Sequence, residues 1–123
     1  MTGVTDMSPR NDAANAAHVS RQIAAGALLQ RCILAGALSL AEARTGSWTL
    51  GPAKLHLHEA AFPDFDETAA FVTAAHEQAR SVAIHCVSEI ELVFALALLD
   101  HAGAQQGDRI EHASVASPEL TRR

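Results

Sequence analysis

The sequence predicts an α/β fold in which helices flank a parallel β-sheet. Short strand-like runs alternate with longer helix-like runs, and connections of this length imply right-handed crossovers between parallel strands. The composition agrees, because 49% of the 123 residues are hydrophobic but only 4% are aromatic. A core built mainly from Ala, Leu, Val and Ile suits helices that pack on a buried sheet.

Local signals place the elements in order. The side chains of the Asn11–Asp12 pair can cap the first helix, which Gly26 ends, and Gly36 closes the second strand. The Gly51–Pro52 pair predicts a turn directly before the third strand. The predicted strands cover residues 4–5, 31–35, 53–59, 81–87 and 109–114, and the predicted helices cover 13–25, 37–43, 68–80 and 89–102, with a last helix opening at 117–118.

The later helices have their own boundary signals. Asp64 and Glu67 have capping-box spacing, with Asp in place of the usual Ser or Thr. Gly103 ends the helix that follows the fourth strand, and Pro118 suits the first turn of the last helix. Every predicted strand is therefore followed by helix-like sequence, as parallel pairing requires.

Two architectures fit this order of elements. A doubly wound open sheet should have a glycine-rich phosphate loop after a strand, and neither G-x-G-x-x-G nor G-x-x-x-x-G-K-[ST] occurs in the chain. The other architecture is part of a β/α barrel, in which the chemistry lies at the C-terminal ends of the strands.

Charge and composition exclude several classes of partner. Nine Lys and Arg against fourteen Asp and Glu give a net charge of −5, so we expect no nucleic-acid binding. The longest dense apolar run, residues 92–99, is too short to span a bilayer, and no basic membrane-binding patch is present. Two cysteines and the absence of a secretory signal lead us to expect a cytoplasmic protein.

Histidines lie near the C-terminal ends of three consecutive predicted strands. His56 and His58 belong to the third strand, His85 to the fourth and His112 to the fifth. A single histidine at a strand end is ordinarily a polar residue bonded to nearby backbone. His85 and His112 follow their strands at the same offset, however, and neutral imidazole is the commonest metal ligand in proteins.

The third strand has a second unusual feature. Lys54, His56 and His58 alternate and should point to one face. The His56-x-His58 pair is either a bidentate metal pair or a hydrophilic strand end. Lys54 in an apolar strand is costly unless it is modified or paired. It is either a carboxylated metal ligand or the partner of a carboxylate such as Glu111 or Asp6.

The remaining histidines and Cys86 suggest no chemistry. His18, His76 and His101 fall within predicted helices, and the helical pattern places them on solvated faces. Cys86 follows His85 and should point to the opposite side of the strand. We therefore expect Cys86 to be buried against a helix.

Three segments resemble the metal-dependent amidohydrolase superfamily: GPAK at 51–54, SVAIHCV at 81–87 and GDRIEHAS at 107–114. They are most similar to the branch known as amidohydrolase family 3, which includes N-acyl amino-acid and formamide-type deacylases. The opening segment GVTDMSPRND at 3–12 is similar to that branch's second strand and following helix. The RIEHA segment at 109–113 is the most specific piece of the resemblance, and the ordered Lys, His and His on three successive strands is a strong signal.

The resemblance implies a partial TIM-type (β/α) barrel over residues 1–123, a single domain with strands two to six. It makes Lys54, His85 and His112 ligands of a divalent metal, zinc as one or two ions. Such a metal activates water to hydrolyse a carbon–nitrogen bond in a small amide-type substrate. His56, His58 and Asp6 would be additional site-lining residues.

The same resemblance implies that the site is incomplete. The family's first-strand His-x-His pair and last-strand Asp base are missing, so we expect no catalytic base here and weak or no activity. One alternative is a non-catalytic remnant that acts in assembly and self-associates through open sheet edges. A weaker alternative is an open-sheet protein that binds an anionic metabolite at helix N-termini.

Overall fold

The predicted parallel α/β fold is confirmed by a computed structural model, which describes residues 3–6, 8–43 and 46–122. The strands follow the order β1-β2-β3-β4-β5, and the paired strands are parallel. The described residues form β1 Gly3–Asp6, α1 Ala13–Ala24, β2 Arg31–Gly36, β3 Thr49–His56, α2 Phe65–Glu77, β4 Val82–Cys86, α3 Glu89–Ala102 and β5 Arg109–His112, with short 3-10 helices at Leu38–Ala43 and Leu120–Arg122.

The chain divides into two compact units, Met1–Lys54 and Leu55–Arg123. The division falls within β3, so that most of this strand belongs to the first unit and its last two residues belong to the second. Each unit has strands and helices of its own. The expectation of one domain over residues 1–123 stays a prediction.

The first unit packs α1 against one face of its strands. The side chain of Asp12 caps α1 by accepting hydrogen bonds from the backbone N–H groups of Ala14 and Asn15, each at 3.0 Å. Trp48 is part of this core and donates its ring N–H to Ser20 Oγ at 3.2 Å. The buried core residues are Ala16, Cys32, Leu34, Leu40 and Trp48.

The Gly51–Pro52 pair lies inside β3, so the predicted turn there is wrong. The strand begins at Thr49, and the pairing with β2 shifts by one residue between Leu34 and Gly36. Such a bulge leaves one residue outside the regular ladder, which suits a proline that has no N–H to donate. A Cβ on Gly51 would lie 3.0 Å from the backbone oxygen of Leu34, so the close approach of the strands favours glycine.

The second unit has β4 as its most buried strand. Val82, Ala83, Ile84 and Cys86 are all fully buried, as expected for a strand covered on both faces. The helices α2 and α3 pack together, and the ring of Phe94 in α3 lies 5.5 Å from that of Phe65 in α2. No helix in the described part of the chain is long and apolar enough to cross a membrane.

Several element ends differ from the predicted ones for local reasons. Helix α2 begins at Phe65, three residues early, because the Asp64 side chain caps it by accepting from the N–H of Glu67. Strand β5 ends at His112 rather than at residue 114, since His112 and Ala113 have φ angles of 72° and 44°. The last predicted helix is only a 3-10 turn, in which Ser117 Oγ accepts from the N–H of Leu120.

Candidate functional site: an imidazole cluster at the strand ends

Three histidine rings lie side by side at the C-terminal ends of β3, β4 and β5. The ring of His85 is 4.2 Å from that of His56 and 4.5 Å from that of His112, measured between centroids. Both contacts are edge-to-face. His85 is partly buried, whereas His56 and His112 are exposed. All three residues belong to the second unit, which therefore brings together both of the predicted histidine ligands.

The backbone at the end of β5 is strained where it presents His112. Residues other than glycine seldom adopt positive φ, and such strain occurs mainly at functional sites and tight turns. The N–H of Ala113 donates to the carbonyl of Cys86 at 3.0 Å, which ties this turn to the end of β4. The turn therefore stops β5 beside the end of β4, where His112 meets His85.

His58 lies beyond the strand that was expected to include it. Strand β3 ends at His56, so the alternation argument that placed Lys54, His56 and His58 on one strand face does not extend to His58. Its ring nitrogen Nδ1 lies 3.3 Å from the backbone N of Ala60 and accepts a hydrogen bond from it. With Nδ1 as the acceptor, a neutral His58 has its proton on Nε2.

A surface cleft of about 400 Å³ adjoins the cluster. Two histidine-bearing segments form most of its wall, one following β3 and the other at the end of β4. The lining residues are His56, Leu57, His58, Glu59, His85, Val87, Ser88 and Glu91. Imidazole and carboxylate side chains in one cleft are suitable groups for holding a small polar molecule or a cation.

Two other predicted site residues belong to the first unit. Lys54 is a buried residue of β3, only 7% exposed, and it is the last residue of that unit. Its role as a metal ligand stays a prediction from the sequence. The side chain of Asp6 lies outside the described residues.

Glu91 is a cleft residue that our sequence analysis missed. It is 6% exposed, and its carboxylate accepts from the N–H groups of Glu59 at 2.8 Å, Val87 at 2.6 Å and Ser88 at 3.2 Å. The bond from Val87 is the main reason that the pKa of Glu91 lies below its ordinary value; burial opposes this, and His58 assists it. The Ser88-x-x-Glu91 spacing of a capping box was the available signal.

Cys86 is buried, as the sequence predicts. Burial raises the pKa of its thiol above the ordinary value; a hydrogen bond from the backbone of Ala113 opposes this, and the nearby Glu91 carboxylate assists it. A neutral, inaccessible thiol is a poor nucleophile. Cys86 is also absent from the residues that line the cleft.

His76 is not on a solvated face, so that expectation was wrong. Its side chain is 5% exposed, and Nε2 lies 3.0 Å from a carboxylate oxygen of Asp108, whose side chain is 3% exposed. Asp108 also accepts from the N–H groups of Val82 at 2.8 Å and Gln105 at 2.7 Å. The pair joins the end of α2 to the start of β4, which gives it a structural role.

The side chains of the cluster are of a type that binds metal ions. His85 and His112 offer neutral imidazole nitrogens from adjacent strands, which is how parallel sheets commonly supply metal ligands. Within residues 3–6, 8–43 and 46–122, no group of three or more His, Cys, Asp or Glu side chains is arranged to hold a metal ion. The two histidines would therefore form part of a ligand set.

Three comparisons with known proteins returned no protein-family model, curated protein or solved structure that matches this chain. The fold and the histidine contacts define the chain as a parallel α/β protein with an imidazole cluster at the strand ends. The likeness to amidohydrolases stays a prediction from the sequence motifs.

Proposed function

We propose that this chain is a segment of a metal-dependent hydrolase that acts on carbon–nitrogen bonds of small amide-type substrates. The observation that supports the proposal is the contact between the rings of His85 and His112, at 4.5 Å, at the ends of adjacent parallel strands. The motifs around both residues and Lys54 are similar to those of metal-dependent amidohydrolases. A partial TIM-type barrel with strands two to six is the corresponding fold proposal.

In this proposal His85 and His112 bind a divalent ion, zinc, through neutral imidazole nitrogens. Lys54 as a further ligand, and the number of ions, stay predictions from the sequence. Zinc, when bound, supplies Lewis acidity that activates water and polarises an amide carbonyl. His56 and His58 line the adjoining cleft and can donate hydrogen bonds to a polar substrate. We propose a cytoplasmic location and no nucleic-acid or membrane partner.

We expect the purified chain to bind zinc and the His85→Ala, His112→Ala double variant to bind it at least about tenfold more weakly. The physical reason is the loss of both imidazole ligands that adjacent strands bring together. Bound zinc is measured by elemental analysis after equilibrium dialysis over a range of free zinc concentrations. A His18→Ala, His101→Ala double variant is the control, because both residues are exposed on helices. Equal zinc binding by the wild type and the site variant would contradict the proposal.

A second candidate function is a non-catalytic assembly module. Large apolar side chains are exposed at and beside the start of α3, where Ile90 is 58% exposed and Val87 and Val93 are nearly half exposed. In addition, β1 and β5 are the end strands in the sheet order, and unpaired strand edges favour association. We propose self-association as the corresponding function of this candidate.

Light scattering distinguishes the assembly candidate from the hydrolase. An assembly module should give a mass above that of the monomer that rises with protein concentration. The Ile90→Glu variant should lower that mass, because a charged side chain disfavours an apolar interface. A monomer at all concentrations would count against this candidate. The anionic-metabolite alternative has less support, since side chains already accept from N–H groups at the helix starts: Asp12 from Ala14 and Asn15 in α1, and Ser88 from Glu91 in α3.

A further inference from the structure

Glu91 connects two backbone segments that are far apart in sequence. One carboxylate oxygen accepts from the N–H of Glu59, in the turn that follows β3, at 2.8 Å. The other accepts from the N–H of Val87, directly after β4, at 2.6 Å, and from that of Ser88. A single side chain in the first turn of α3 therefore bonds to both segments that form the histidine cleft.

This arrangement goes beyond the role of an ordinary capping box. In a capping box the glutamate returns only to the N-cap residue, which here is Ser88. The bond to Glu59 adds a partner 32 residues away. Hydrogen bonds to an ionised carboxylate are stronger than neutral ones, and Glu91 as a residue is only 6% exposed. Few other conformations of the two segments would satisfy all three donors.

The two segments hold the imidazoles of the cleft. Glu59 directly follows His58 and is three residues from His56, whereas Val87 is two residues from His85. We propose that Glu91 is a positioning residue that sets the spacing between the His56 and His85 segments through its carboxylate. The expected effect of Glu91 on zinc binding rests on the proposed function. Its effect on the spacing of the two segments does not require a metal.

The test compares four variants. They distinguish the effects of the length of the side chain at position 91, of its charge and of the stability of the start of α3. Glu91→Gln removes the charge and places an N–H₂ group against a backbone donor, whereas Glu91→Asp retains the charge but is too short to reach both segments. Ser88→Ala removes the hydroxyl that accepts from the Glu91 N–H and weakens the start of α3, but it retains the carboxylate bonds. Glu89→Gln removes an exposed charge from the same helical turn.

Three measurements are made on each full-length variant. NMR measures hydrogen exchange at the Glu59 amide and the ring proton shifts of His56 and His85, without metal. Equilibrium dialysis then measures the zinc dissociation constant, and thermal unfolding shows that each variant is folded at the working temperature. We expect both Glu91 variants to speed exchange at Glu59, to shift both rings and to weaken zinc binding about tenfold or more. Glu89→Gln should leave all three properties near those of the wild type, and Ser88→Ala should leave the exchange at Glu59 and the two ring shifts near them.

The outcomes are separable. Wild-type ring shifts and zinc affinity in Glu91→Asp would overturn the inference, because charge alone would then suffice. An equal loss in Ser88→Ala would also overturn it, since helix stability would explain the effect. If the wild type binds no zinc, the proposed function fails, and the metal-free exchange and ring shifts still decide whether Glu91 positions the two segments.

Discussion

Replacing Gly36 with alanine is expected to destabilise the protein by about 3 kcal/mol or more, as overpacking adds to the loss of buried hydrogen bonds. A Cβ at this position would lie 2.5 Å from the backbone oxygen of Asn11 and 2.9 Å from Cδ1 of Leu40. Neither neighbour can move freely. The same Asn11 oxygen accepts from the N–H of Ala37 at 2.9 Å, and Leu40 is fully buried.

Asn11 makes the effect larger because it joins two parts of the first unit. Its side-chain Nδ2 donates to the carbonyl of Ala35 at 2.9 Å, and the residue is 4% exposed. Moving the backbone of Asn11 to admit a methyl group would disturb this bond as well as the one from Ala37. Buried donors and acceptors that lose their partners cost about 1–3 kcal/mol each.

Urea unfolding followed by circular dichroism measures this difference. Gly26→Ala is the comparison variant, because Gly26 has a positive φ of 71° and no atom lies within 4 Å of the position that an added Cβ would take, whereas Gly36 has a φ of 157° and close neighbours. The control should cost only about 1–2 kcal/mol, from backbone strain alone. Equal losses in the two variants would show that conformation, and not the contact with Asn11, explains the requirement for glycine at position 36.

Local signals in the sequence were sufficient for much of the fold. Helix α3 spans Glu89–Ala102 as predicted, because its apolar run is long and Gly103, with a φ of 77°, ends it. The start of β3 was missed because the Gly51–Pro52 pair ordinarily marks a turn. Here the bulge against β2 accommodates both residues, and a bulge depends on the partner strand rather than on the local sequence.

In the candidate site, too, features that depend on local sequence could be predicted, whereas contacts between residues far apart in sequence could not. The sequence could place His85 and His112 at one edge of the sheet, because parallel strands end together there. It could not give their register: His112 lies opposite Cys86, and Glu111 lies opposite His85. The partners of Glu91 and His76 could not be predicted from the sequence, because each side chain bonds to a residue at long sequence separation. The helical pattern alone placed His76 in solvent, whereas Asp108 covers it from the loop before β5.

Replacing Asp108 with alanine is expected to cost about 3 kcal/mol or more, because it leaves buried donors without an acceptor. The N–H of Val82 belongs to a fully buried residue, and the His76 side chain is 5% exposed, so water cannot readily replace the lost carboxylate for either group. The N–H of Gln105, in an exposed turn, can be rehydrated and should add little. His76→Ala should cost less, since Asp108 would retain its two backbone donors.

A double-mutant cycle of Asp108→Ala and His76→Ala, measured by urea unfolding, isolates the interaction between the two side chains. The double variant should lose less stability than the sum of the single losses, by about 0.5–3 kcal/mol, because their contact is counted in both single variants. Glu77→Ala, an exposed neighbour of His76, should stay within about 0.5 kcal/mol of the wild type. Strictly additive losses would mean that the 3.0 Å contact contributes nothing to stability. The cost of Asp108→Ala would then come from the backbone donors alone.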